Sequence, residues 1–76
     1  MTEVIIKFTD DTRIGLYITL CGFNGDIDII QGNLNVDGKS LLGIYTLLTN
    51  SSIKVVLHSE DTTEIEKFKR SLKCYM

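Results

Sequence analysis

Few side chains in this sequence can do chemistry, and they are scattered. His58 is the only histidine, and Cys21 and Cys74 are the only cysteines. A nucleophile needs a base within hydrogen-bond reach, and acid–base chemistry needs titratable groups converging on one cleft. No paired carboxylates, nucleophile–base set or metal-ligand spacing emerges, so the chain reads as a non-enzyme with no metal and no cofactor. Cys21 falls on an apolar stripe and reads as a small buried hydrophobe, while Cys74 has no base beside it. His58 ends an alternating segment on the side of Lys54, away from Ile53, Val55 and Leu57, as a surface histidine would. Arg13 reads as an exposed helix charge. Ser40 precedes a short apolar run, where its ordinary role is to cap a helix, worth about 1 kcal/mol.

The elements that must position these groups follow from hydrophobic period. Glu3 to Phe8 alternates, with Val4, Ile6 and Phe8 inward, as a half-buried strand. Thr9 to Asn24 supports two readings. Ile14, Tyr17, Ile18 and Cys21 share one helical face after the acceptor-rich Thr9, Asp10 and Asp11, with Gly22 as a C-terminal glycine. Ile14, Leu16, Ile18 and Leu20 also alternate as a strand would, and β-branched residues favour that form. Pattern alone leaves both open.

Beyond Asp26 the signals sharpen. Ile27 and Ile29 alternate with Asp26 and Asp28, Gln31-Gly32-Asn33 turns, and Leu34 and Val36 face inward on a second strand of a hairpin. Asp37 and Gly38 turn again. Ser40 opens a helix through Leu48, with Leu41, Ile44, Tyr45 and Leu48 on one face and Leu42 off it. Gly43 inside it calls for close packing on the sheet. Ile53, Val55 and Leu57 mark a fourth strand, and its other side, Lys54, Val56 and His58, would be an open sheet face. Asp61 and Glu64 form a capping-box pattern before a last helix lined by Ile65, Phe68 and Leu72, with Glu66 and Arg70 spaced as an ion pair.

Seventy-six residues, 43% hydrophobic and 24% charged, suit one small domain spanning residues 1–76. A net charge of −2 gives no electrostatic footprint for nucleic acid or an anionic membrane. No apolar run is long enough to span a bilayer, and no charged-then-apolar leader opens the chain. Reduced thiols and a cytoplasmic location are expected.

The segment Gly38-Lys39-Ser40-Leu41-Leu42-Gly43-Ile44-Tyr45-Thr46-Leu47 resembles the regulatory-serine segment of HPr, the phosphocarrier of bacterial sugar phosphotransferase systems. There a Lys-Ser pair opens a short helix, followed by two apolar residues, a glycine and another apolar position. Gly22-Phe23-Asn24-Gly25-Asp26-Ile27 resembles that family's passage from first helix to second strand. The resemblance spans the chain in element order and is good by residue from Gly22 to Leu57. It implies an α+β open-faced β-sandwich, β-α-β-β-α-β-α, with a four-stranded antiparallel sheet covered on one face by three helices. It also favours helix for Asp11 to Cys21.

The family keeps a histidine at the start of its first helix, followed two residues later by arginine and then proline. Phe8-Thr9-Asp10-Asp11-Thr12-Arg13 has neither histidine nor proline, and is several residues shorter. Two acids stand where a phosphoryl donor would dock, so transfer there is opposed. The resemblance therefore implies a regulatory or protein-binding role without phosphohistidine. Ser40 is the candidate phosphorylation site, and Lys39, Leu41, Leu42 and Tyr45 form the candidate docking patch, with Leu42 the most exposed. Lys39 would supply a partial counter-charge. The partners implied are proteins: an HPr kinase/phosphorylase-like enzyme, a transcription regulator or phosphotransferase components. Nucleic acid, membrane and metal are not among them. Two alternatives stand beside this reading: an interaction module using the open sheet face, and a phosphocarrier whose acceptor has moved to His58.

Overall fold

Alternation produces the strands it predicts. The computed structural model describes residues 1–76, with β1 at Thr2–Phe8, α1 at Arg13–Cys21, β2 at Asp26–Gln31 and β3 at Leu34–Asp37. After them come α2 at Leu41–Tyr45, β4 at Ser51–His58, α3 at Thr62–Leu72 and a closing 3-10 turn at Lys73–Tyr75. The four strands form one antiparallel sheet in the order β1-β4-β2-β3. This is the expected β-α-β-β-α-β-α order, and α1 is a helix.

β4 lies second in the sheet and sets the register. Ile53 stands opposite Ile6, Val55 stands between Val4 and Ile29, and Leu57 pairs with Ile27. Their side chains join Phe8 from β1 and Leu16, Leu20, Ile44, Phe68 and Leu72 from the helices in one core. Each large side chain so buried contributes about 1.5–3 kcal/mol relative to exposure. The β2–β3 loop is Gly32-Asn33, and Gly32 takes a φ of 61°, the left-handed conformation that a two-residue hairpin needs at its first position. Gly38 lies so near β2 that an added Cβ would stand 2.7 Å from Ile27 Cγ2. Gly43 brings α2 against β3, where a Cβ would meet Val36 Cβ at 3.2 Å, the close packing its presence in a helix called for.

Several expectations of detail are corrected. α1 buries Leu16 and Leu20, while Ile14, Ile18 and Cys21 are exposed and Tyr17 is half-buried. Its nine residues carry apolar groups on two faces, so the period alone could not choose between them, and the helix sits roughly a third of a turn from the expected phase. Gly22 ends α1 at φ −78° rather than in a left-handed cap. Leu34 is exposed. α2 stops at Tyr45 because the Gln31 amide captures the next turn: it donates to Leu48 O and accepts from Leu48 N, both at 2.8 Å. Leu47 is thereby buried and Leu48 turned out, 73% exposed.

In α3 the inner stripe is as expected, with Phe68 and Leu72 buried and Ile65 half-buried. Asp61 caps the helix through Thr63 N at 3.0 Å, but Glu64 does not close a capping box. Its Oε1 instead accepts from the backbone N–H groups of Asn24 and, at 3.1 Å, Gly25. Glu66 and Arg70 form no ion pair: the pairs present are Arg13–Asp10, Lys54–Glu3 and His58–Asp28.

Glu64→Ala removes a charged acceptor from two loop amides and is expected to lower unfolding free energy by about 1–3 kcal/mol. Glu66→Ala, which touches no such group, should stay within about 0.5 kcal/mol. Urea unfolding of the two variants measures the difference.

Candidate functional site

Ser40 begins α2 in an extended conformation, and its Oγ accepts from Gly43 N at 3.2 Å. The capping role is thus observed directly, and it leaves the half-buried hydroxyl at the rim of the helix. Asp37 stands just before it, accepting from Lys39 N at 2.9 Å through Oδ1, while Asp37 O accepts from Ser40 N at 3.0 Å. Lys39 is not a free counter-charge for the serine. Its ammonium donates to Phe23 O, at the end of α1.

Leu42 is the most exposed of the patch residues, at 82%, as its helical spacing requires. Leu41 and Tyr45 are also exposed, and Leu48 joins them. Ile44 alone of α2 turns fully inward. Exposed apolar side chains are thus concentrated on α2 and the turn that follows it.

Arg13 is the largest departure from expectation. It is no exposed charge: only 14% of its side chain is accessible. The guanidinium carbon lies 4.8 Å from the Tyr45 ring centroid and 5.5 Å from that of Phe8. NH2 reaches Asp10 Oδ1 at 3.3 Å, whereas Nε is buried without a hydrogen-bond partner. A cation held against two aromatic faces gains from the ring quadrupoles, by about 0.5–2 kcal/mol as water is withdrawn. The stack ties the start of α1 to α2, so Tyr45 presents its rim to solvent and its face to Arg13. Nothing local marks this role in the sequence, because Phe8, Arg13 and Tyr45 meet only after β1, α1 and α2 are packed.

The start of α1 carries no imidazole. Thr12 is the N-cap residue, but its hydroxyl turns back to the preceding segment, accepting from Thr9 N at 3.3 Å and donating to Thr9 O at 3.2 Å. His58 is at the end of β4 on the sheet face away from the helices, its Nε2 2.8 Å from Asp28 Oδ2. Its neighbour is an anion, and neither an arginine nor a helix start is bonded to it. Val56, expected on that open face, is only 3% exposed; its strand neighbours Glu3 and Asp28 enclose it.

Cys21 and Cys74 are both free and exposed, which corrects the buried reading of Cys21. The neighbouring Cys21 side chain holds the Tyr17 phenol above its ordinary pKa, and burial adds in the same direction. No helix is long and apolar enough to cross a membrane.

No protein-family model and no curated protein sequence matches the chain. Solved structures do. HPr-C-His from Thermoanaerobacter tengcongensis superposes with a TM-score of 0.79 at 22% identity, over 99% of this chain and 91% of that one. The phosphocarrier protein HPr of Bacillus anthracis gives 0.75 at 17% identity, over 99% and 96%. The histidine-containing phosphocarrier protein of a Mycoplasma gives 0.69 at 18% identity, over 93% and 91%. The chain has the fold of these proteins, the open-faced β-sandwich that its sequence implied.

A double-mutant cycle on Arg13→Met and Tyr45→Leu, read by urea unfolding, should return a coupling of about 0.5–1 kcal/mol. Arg13→Lys should not restore it, since an ammonium has no planar face to set against a ring. Independent, additive losses would show that the stack does not join the helices.

Proposed function

We propose that this chain is a divergent HPr-type protein that docks proteins of the phosphotransferase system or of carbon catabolite control, and does not carry a phosphoryl group on histidine. It acts as a single domain in the cytoplasm. The docking surface is the outer side of α2, with Leu41, Leu42 and Tyr45 as its apolar centre and Lys39 and Ser40 at its edge. One observation carries the reading. An HPr fold matched over nearly the whole chain exposes this apolar helix while its only imidazole faces Asp28 on the other side of the sheet.

The chemistry agrees with that division. Histidine phosphorylation needs an unprotonated ring nitrogen with cationic or N–H groups around the transferred oxygens. His58 has a carboxylate in that position, which repels a phosphoryl group. Arg13, the one guanidinium near the start of α1, lies against two aromatic rings and is paired with Asp10.

Ser40 is the modification site in this reading. A phosphoserine adds about −1.5 to −2 charges at a helix start. Asp37 lies close by and Lys39 is engaged with Phe23 O, so the added charge is little neutralised by the protein and remains available to a partner's cations.

Intact-mass measurement after incubation with Enzyme I and phosphoenolpyruvate should find no added phosphate, and acid-labile phosphate on His58 would overturn the proposal. With an HPr kinase and ATP one phosphate should be added, and Ser40→Ala should remove that addition completely. Leu42→Asp, which changes only an exposed side chain, should slow the kinase reaction at least about tenfold if α2 is the docking element. Unchanged kinetics would place docking elsewhere.

A further inference from the structure

We propose that the free edge of β1 is a self-recognition strand. Two copies of this chain pair there, antiparallel, about a two-fold axis at Ile5, and join their sheets into one. β1 is the terminal strand of the sheet and pairs only with β4, so its outer edge is not bonded to any other strand of the chain. Its outward side chains on the open face are Glu3, Ile5 and Lys7, all exposed, and Ile5 is 61% exposed at the strand's centre.

The occupant follows from the register. A symmetric antiparallel pair sets one residue opposite itself at the axis and matches its flanks in reverse order. Ile5 is the midpoint of Thr2–Phe8, so an axis there overlaps every residue of both strands. The same register sets Glu3 opposite Lys7 of the second copy, and Lys7 opposite its Glu3. Ile5 meets Ile5 between the two ion pairs. An axis at Val4 shortens the overlap and sets Glu3 opposite Ile5; an axis at Ile6 sets Lys7 opposite Ile5. Only one register therefore satisfies length, charge and apolar contact together.

Exposed sheet edges are usually guarded by charges that repel an incoming strand. On β1 the two charges are opposite in sign and equidistant from the centre, so they attract in the self-paired arrangement. Glu3 already has a neighbour in Lys54 Nζ at 3.6 Å, but that pair is solvent-exposed and holds the carboxylate weakly. A contact of one strand pair is small by the standard of stable interfaces, so the dimer is weak and sensitive to salt.

Sedimentation equilibrium of the full chain, from micromolar to millimolar concentration at low salt, should show a monomer–dimer equilibrium. Glu3→Lys and Lys7→Glu each turn two attractive cross-strand pairs into repulsive ones and should weaken dimerisation roughly tenfold or more. Mixing these two variants should restore a dimer, since every Glu then faces a Lys across the axis. Ile5→Lys should abolish it. All three side chains are exposed, so circular dichroism should find each variant folded. Amide exchange in Thr2–Phe8 should slow as concentration rises. A chain monomeric at millimolar concentration, a dimer indifferent to Lys7→Glu and Ile5→Lys, or a mixture that forms no heterodimer would each overturn the proposal.

Discussion

The layout of the helices depends on how the loop from Gly22 to Gly25 is held. Gly22 O accepts from Lys67 Nζ at 3.1 Å, Phe23 O accepts from Lys39, and the amides of Asn24 and Gly25 donate to Glu64. Helix C-termini leave carbonyls without intrahelical partners and gather partial negative charge, so two lysines there are favourable on both counts. The Phe23 ring meets Phe68 edge-on at 5.7 Å, and Lys67 Nζ lies 4.8 Å from its centroid. One short loop thus links the end of α1 to the start of α2 and to the first two turns of α3. Where Ser40 and its helix stand relative to α1 is set at this point.

The other end of α1 is tied by different means. Arg13 between Phe8 and Tyr45 fixes α1 to α2 through cation–ring contacts, with Nε left unpaired. An unpaired buried donor is costly, by about 1–3 kcal/mol, and the two ring contacts and the Asp10 pair act against that cost. With both ends of α1 secured to α2 or its approach, the apolar side chains of α2 cannot fold down onto the core. Leu42 and Leu48 stay in solvent because Gly43 holds the helix against Val36 and Gln31 holds Leu48 by its backbone. The exposed patch is a consequence of these restraints.

The sheet separates two chemistries. Its covered face is apolar, and of the ion-paired groups Arg13, with 14% of its side chain accessible, is drawn furthest in. Its open face carries the Glu3–Lys54 and His58–Asp28 pairs, each partly exposed. Because side chains alternate along a strand, His58 cannot move from one face to the other without a one-residue slip of β4, which would expose Ile53, Val55 and Leu57. The distance between the imidazole and the start of α1 is therefore a property of the sheet's register.

What the sequence determined by itself is what repeats over short distances. Alternation marked β1, β2 and β4, Gly32-Asn33 marked the hairpin, and the spacing of Ile65, Phe68 and Leu72 fixed the phase of α3, where no second apolar stripe competes. Ser40 as a cap and Leu42 as the outward residue were legible for the same reason, since both depend on neighbours within one helical turn. The phase of α1, the burial of Arg13, the exposure of Cys21, the early end of α2 and the reach of Glu64 to Asn24 and Gly25 were decided by tertiary structure. Each depends on groups far apart in the chain: Phe8 and Tyr45 around Arg13, Gln31 on Leu48, Glu64 on a loop 39 to 40 residues earlier. A helix with apolar residues on two faces, or a carboxylate with two possible amide partners, has no local preference strong enough to choose. Packing against the rest of the chain makes that choice.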